Sequence, residues 1–279
     1  MPITAAERKY LKNKHRGGKS SAKGNLYEEY YAVYQLALLI DKYRSTPSNV
    51  HLATQMPETF VDDLLIVQEG LHKTYHQLKD VKNISWASNN LKCDFERQRD
   101  ISLENGEQFA LKIVYSDADS SVGAVPETIS DCTTAEHFPS CPSIQSLYFS
   151  FQPFQQAVKN IATPLNSTDN DLIGISGALL GAWGMVDSQS STSLEEILEK
   201  VYNIGKGLIN INTYPSSITV SDDCSALLHQ IGVQFQVSGT SLYWSYRSFS
   251  GYLPWSKEAE NRIIAASPKD FKDIIDLLN

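Results

Sequence analysis

From Leu26 to Ile40, the apolar residues of "LYEEYYAVYQLALLI" recur at helical spacing, at Leu26, Tyr30, Val33, Ala37 and Ile40. The pattern predicts a helix that begins at about Asn25 and is ended by "STPSN". Two strand-like runs follow, at about 60–67 and 74–81, joined by a loop containing Gly70, and together they predict a hairpin. "SWASNNLKCDFERQRDISLEN" returns to helix, with Ser85 as its cap and Gly106 as its stop, and "QFALKIVYSD" reads as a third strand. Helix, strand, strand, helix, strand is the order of a mixed α/β layer around a short sheet.

From Asp117 to Pro142 the chain is rich in Ser, Thr, Asp and Pro, which predicts either a long surface excursion or a boundary. "IQSLYFSFQPFQQAVKNIAT" could complete the first domain. Further on, "SLEEILEKVYNIGKGLI" is a helix opened by a Ser193-x-x-Glu196 capping box. "SDDCSALLHQIG" is another, capped at Ser221 and stopped at Gly232, and "VQFQVSGTSLYWSYRSF" is a hairpin turning at Ser238-Gly239. Two helices followed by a hairpin resemble a winged helix. The expected organisation is therefore a basic arm over 1–24, an α/β domain over 25–165, and a smaller α+β domain over 166–279 for oligomerisation, partner docking or DNA contact.

Composition changes this picture in three places. A hydrophobic share of 42% with 20% charged residues is that of a soluble globular chain, and no apolar run approaches the ~20 residues that cross a bilayer, so no membrane partner is expected. The N-terminus has no apolar stretch after its charges, so no secretory signal is expected either. The four cysteines, Cys93, Cys132, Cys141 and Cys224, have neither zinc-ribbon nor disulfide-framework spacing, and reduced thiols in a cytoplasmic protein are the expectation. The net charge of −8 hides a basic block: Arg8, Lys9, Lys12, Lys14, Arg16, Lys19 and Lys23 are interrupted by no acid. Such an arm either binds phosphates or is a solvated tail.

The candidate chemistry lies in the hairpin "FVDDLLIVQEGLHKTYHQLKDVKN". Pairing about Gly70 places Asp63 opposite Gln77, with Cβ atoms ~5 Å apart. Gln77 and Lys79 share one face and Leu78 takes the other. An Asp63 carboxylate and a Gln77 amide oxygen at that separation suit a divalent cation with oxygen bonds of ~2.1 Å. Lys79 would then stand beside the metal to stabilise charge that grows on a phosphate. The alternative is an amphipathic hairpin with a wet face. Glutamine contributes no charge, so an acid from the preceding helix is expected nearby. On a helical wheel Glu29 falls among Leu26, Val33, Leu36 and Ile40, while Glu28 points about a quarter turn away, so periodicity prefers Glu29. His76 points away from the Gln77 face and reads as a partly buried filler. His15, His51, His72, His137 and His229 lack the mutual spacing of a metal site. "GGKSSAKG" lacks the spacing of a nucleoside-triphosphate loop.

"GNLYEEYY", "FVDDLLIV" and "YHQLKD" together resemble the PD-(D/E)xK nuclease superfamily, in the variant whose third motif is Q-x-K. Gly24-x-x-Tyr27-Glu28 is similar to the opening helix of Mrr-type restriction nucleases. The run "RGGKSSAKGNLYEEYY", with the Asp-Asp and Q-x-K strands, is closer to the double-stranded-DNA endonuclease domains of bacterial anti-phage systems of the Lamassu and CBASS effector type. The likeness covers roughly 16–117. It implies a restriction-endonuclease-like mixed sheet flanked by helices, and a DNA endonuclease dependent on Mg2+ or Mn2+. Asp63, Gln77 and Glu28 would be the ligands and Lys79 the catalytic lysine. The resemblance thus selects Glu28 where the wheel selects Glu29. It selects Asp63 over Asp62 because an apolar residue follows the ligand, a choice that a one-residue slip in pairing would reverse.

Arg16, Lys19 and Lys23, just ahead of the helix, would bind backbone phosphates with steep salt dependence. Expected partners are double-stranded DNA, further copies of the chain (cutting both strands needs two sites), and an ATPase or sensor subunit. Two other readings remain: a nuclease fold kept as a scaffold without catalysis, and a winged-helix DNA-binding regulator.

Overall fold

The computed structural model describes residues 3–18, 22–68, 72–163, 168–186, 190–205, 208–209, 220–238 and 241–278. Side chains are described for all of these except 13–18, 22–25, 89, 236–238, 241, 252, 254 and 278. The chain opens with two helices, α1 (Ala5–Gly18) and α2 (Ala22–Tyr43). Three strands follow: β1 (His51–Ala53), β2 (Leu64–Gln68) and β3 (His72–Lys79). Helix α3 (Leu91–Glu104) then crosses over to β4 (Phe109–Tyr115), and β5 (Thr133–His137) follows. Next come α4 (Ile144–Ser150), α5 (Gln152–Ile161), α6 (Asp169–Trp183), the two-residue strand β6 (Thr192–Ser193) and α7 (Leu194–Gly205). The last unit holds α8 (Asp222–Gln230), strands β7 (Gln234–Ser238), β8 (Ser241–Tyr246) and β9 (Phe249–Pro254), α9 (Lys257–Ala266) and α10 (Phe271–Leu278).

Six strands form one mixed sheet in the order β5-β4-β3-β2-β1-β6. β2 and β3 are the expected antiparallel hairpin, in register from Leu64 opposite His76 to Gln68 opposite His72; its turn at Gly70 lies outside the described residues. β4 runs parallel to β3, and β5 parallel to β4. A parallel return needs a crossover, which α3 supplies. Both faces are covered, so β2 is apolar from Leu64 to Val67 without alternation. Leu64 and Ile66 pack on the side of α2, with Leu78 and Val114. Leu65, Tyr75, Leu111 and Ile113 pack on the other side with Trp86 and Phe95.

Helix α2 is covered on most sides. Every residue from Tyr30 to Ala37 is buried, because α5, α6 and α7 cover the helix away from the sheet. Leu26, which helps to define the stripe read from periodicity, is 43% exposed.

The structure differs from expectation in several places. Helix α3 begins at Leu91 rather than at Ser85, which instead bonds Ser88 through both its N–H and its hydroxyl. Trp86 takes precedence: it is buried edge-on against Phe95, and its indole N–H donates to the Val122 carbonyl at 3.0 Å. The 117–142 stretch contains β5, and β1 precedes the hairpin; neither was expected.

The core does not divide at 165/166. Leu172, Ile175, Leu179, Leu194, Ile197 and Val201 share a cluster with α2, and β6 pairs with β1. Packing carries the first body to Ile209, and the second cluster draws on residues from 220 onward. The winged-helix likeness took α7 and α8 as its two helices, but α7 belongs to the first core. Of those two, α8 alone packs beside the three-stranded sheet β7-β8-β9, and α9 and α10 complete that unit. The caps at Ser193 and Ser221 form, with Glu196 N–H and Cys224 N–H as donors. The basic arm over 1–24 is not a tail throughout, since α1 is seated by Leu11 at 2% exposure and by a Glu7–Arg97 pair at 2.6 Å. Among the described residues, no helix is long and apolar enough to cross a membrane.

A chain ended just beyond Ile209 should therefore melt cooperatively, whereas one ended at residue 165 should not. The shorter chain loses at least six buried aliphatic side chains at ~1.5–3 kcal/mol each, against a typical total stability of about 5–15 kcal/mol. Circular dichroism melts of the two truncations measure this.

Candidate active site

Asp63 stands one residue ahead of β2, and the hairpin register brings it opposite Gln77. Its N–H donates to the His76 carbonyl at 3.1 Å. Its carboxylate reaches across to β3, where Oδ2 accepts from the Leu78 N–H at 2.6 Å and from the Gln77 side-chain amide. A strand N–H and a strand side chain thus hold one carboxylate oxygen. Gln77 is 1% exposed, Asp63 half-buried. Lys79 lies two residues beyond Gln77 and hence on the same face, half-buried at the last position of β3. Asp62 is 5% exposed, and its backbone carbonyl receives the Gln55 N–H at 2.7 Å. Of the two adjacent acids, Asp63 is the one bonded to Gln77.

Glu28 comes to the same place from α2. Burial, then the nearby charge of Asp63, push its carboxyl from an ordinary 4.5 up to about 8; Lys79 pulls the other way, while Asp62 and Glu29 add smaller upward effects. Glu28 is therefore within electrostatic reach of both Asp63 and Lys79. Glu29 is raised by burial alone. Of the two helix acids, Glu28 is the one whose ionisation responds to Asp63 and Lys79, whereas the wheel prefers Glu29. A helix covered on most sides has no single core-facing stripe, so its apolar direction does not point to the sheet.

Two hydroxyls fix the rotation of α2. Tyr27 donates to the Phe138 carbonyl at 3.0 Å, and Tyr31 donates to Glu136 Oε2 at 3.1 Å. Glu136 also accepts from Lys112 Nζ at 2.7 Å. These anchors stand one residue before and three after Glu28. Sequence reasoning missed them because their partners sit on or just after β5; a strand assignment for "TTAEH" would have brought them to notice. His76, expected to be partly buried, is 1% exposed. Its Nδ1 meets the Leu64 carbonyl at 3.1 Å, its ring lies 5.6 Å from that of Tyr31, and burial and then the Lys112 charge hold it neutral, down at about 3. It packs on the α2 side and takes no part in the site. Lys19 lies outside the described residues; Arg16 and Lys23 have described backbone in α1 and α2, but their side chains lie outside.

Among the described residues no group of three or more His, Cys, Asp or Glu side chains forms a ready metal cluster. The candidate set has two such acids and an amide. Its chemistry fits a hard divalent cation on two counts. Glu28 and Asp63 are close enough to oppose each other's ionisation, a repulsion that a cation removes. The Gln77 amide presents NH2 to Asp63 here, and a half-turn about its last torsion presents the oxygen instead. Three oxygen donors from a helix and two strands suit Mg2+ or Mn2+.

No protein-family model, curated protein or solved structure matches this chain.

The raised Glu28 carboxyl has a consequence for stability. A proton that the folded state holds more tightly than the unfolded state stabilises the fold below pH ~4.5, and this contribution is lost as pH rises through about 8. In a chelator, Glu28→Gln should match wild type near pH 5 and exceed it by about 2 kcal/mol near pH 8–9, allowing for solvent screening of a partly exposed group. Denaturant titrations across that range test it; parallel pH curves for the two proteins would show that Glu28 is not perturbed.

Proposed function

We propose that this chain is a metal-dependent DNA endonuclease of restriction-endonuclease-like fold, hydrolysing phosphodiesters as the nuclease component of a bacterial anti-phage system. The observation that supports it most is the convergence of four side chains. The Asp63 carboxylate is held by Gln77 and by the Leu78 N–H, and the ionisation of Glu28 responds to the charges of both Asp63 and Lys79. The mixed six-stranded sheet flanked by helices agrees with that fold.

Asp63, Gln77 and Glu28 would hold Mg2+ or Mn2+, which when bound supplies an acidified water and neutralises phosphate charge. The chain's own contribution is positional and electrostatic. The Leu78 N–H and the Gln77 amide orient the Asp63 carboxylate before substrate arrives. Glu28 gives up its carboxyl proton to become a ligand, so readiness for reaction rises with pH through neutrality. Lys79 places an ammonium beside a phosphate as negative charge builds there, on a strand end that costs no rearrangement. Arg16, Lys19 and Lys23 hold backbone phosphates, and a second copy of the chain supplies the site for the other strand. An ATPase or sensor subunit, in the cytoplasm, would govern activity.

Cleavage of supercoiled plasmid with Mg2+ tests the reading. Lys79→Ala and Asp63→Asn should each cut at least about 100-fold more slowly than wild type, with melting temperatures within a few degrees of it. Failure of the wild-type chain to cleave, alone or with its partner subunit, would leave the scaffold reading in place.

A further inference from the structure

Helix α1 separates its side chains by charge. On its inner side Glu7 accepts from Arg97 Nε at 2.6 Å, which holds the Glu7 carboxyl well down, at about 2. Tyr10 donates its hydroxyl to the Asp94 carboxylate, 3.0 and 3.1 Å from its two oxygens, and Leu11 is buried beside them. Thr4 closes the first turn: its N–H and hydroxyl both donate to Glu7 Oε2, at 2.7 and 2.8 Å, and its Oγ1 accepts from the Glu7 N–H at 3.3 Å.

The outer side carries Arg8, Lys9 and Lys12, all exposed. Arg8 has only a loose 3.4 Å pair with Glu58, both side chains more than half exposed. Arg8 and Lys12 are one turn apart, roughly 6 Å along the axis. The helix also has a definite address. The Tyr10 ring lies 6.3 Å from that of Phe60, three residues before Asp63, and the Phe60 N–H donates to Gln98 on the same α3 that seats α1. An acid and a phenol are spent on docking, and a cationic face is left beside the segment that delivers the candidate ligand.

We infer that α1 is a docked clamp for the phosphate backbone of double-stranded DNA, gripping it through Arg8, Lys9 and Lys12 alongside the hairpin site. This rests on the nuclease reading and adds to it an orientation: the cations act from a fixed helix, not as a loose basic tail. Charge complementarity favours a polyanion, and the position beside Asp63 favours the one being cut.

The test is anisotropy of the full-length chain with a labelled 20-bp mixed-sequence duplex, in EDTA, from 50 to 200 mM salt. Lys9→Gln with Lys12→Gln should weaken binding roughly tenfold or more at 100 mM and lower the log–log salt slope by about 1.8. Glu7→Gln with Tyr10→Phe removes a negative charge and leaves every outward cation. Simple charge attraction would therefore strengthen its binding, whereas the clamp requires binding to weaken, with the thermal melt of the main body retained. An unchanged salt slope in the lysine pair, in a protein whose wild type cleaves plasmid, overturns the clamp alone. Equal or tighter binding by the Glu7/Tyr10 pair overturns docking and returns α1 to a tail. A wild type that neither binds the duplex nor cleaves takes the nuclease reading down with it.

Discussion

One strand register governs the site. With Leu64 opposite His76, Asp63 meets Gln77, and its carboxylate closes onto the N–H of Leu78. Side chains alternate along a strand, so a shift of one residue would send Gln77 and Lys79 to the α2 side and bring His76 and Leu78 to the other. The register is held by packing on both faces, since Leu64 and Ile66 fit one core and Leu65 and Tyr75 the other. A buried amide at 1% exposure is tolerated because it has a carboxylate to bind.

Helix α2 is the second constraint. Its middle is enclosed, so its rotation is set by shape and by the two tyrosine hydroxyls that bond on or just after β5. The polar group Tyr31–Glu136–Lys112 thereby connects the far edge of the sheet to the acid at the hairpin. Three elements distant in sequence have to be correctly placed before Glu28 meets Asp63.

These constraints explain what the sequence disclosed and what it withheld. The hairpin was legible because two strand-like runs flank a loop containing Gly70, and pairing across it sets Asp63 opposite Gln77. The caps at Ser193 and Ser221 were legible because they are local chemistry. β1 and β5 were not, since strands of three and five residues owe their pairing to distant partners, and β5 lies within the stretch rich in Ser, Thr, Asp and Pro. Helix α6 was hidden by Gly174, Gly177 and Gly181, which weaken a helical pattern. Gly181 lets α7 approach closely, because a Cβ there would meet Ile204 Cδ1 at 3.3 Å. Periodicity did not pick out Glu28, which only the resemblance selected, because a carboxyl on a largely enclosed helix has no periodic signature. Ser85 looked like a cap until a neighbouring indole outweighed it.

The two-residue strand β6 is small, but it pairs with β1, and the helix it introduces packs against α2. The first core therefore closes only when the segment around 190–205 arrives, although the hairpin and α2 emerge from the ribosome much earlier. Long-range closure of this kind is slow to pay back its loop entropy. During synthesis, the half-made chain would have its acids and its lysine without the packing that aligns them. The candidate site would thus take its final arrangement only late in synthesis, by virtue of the order in which its parts appear.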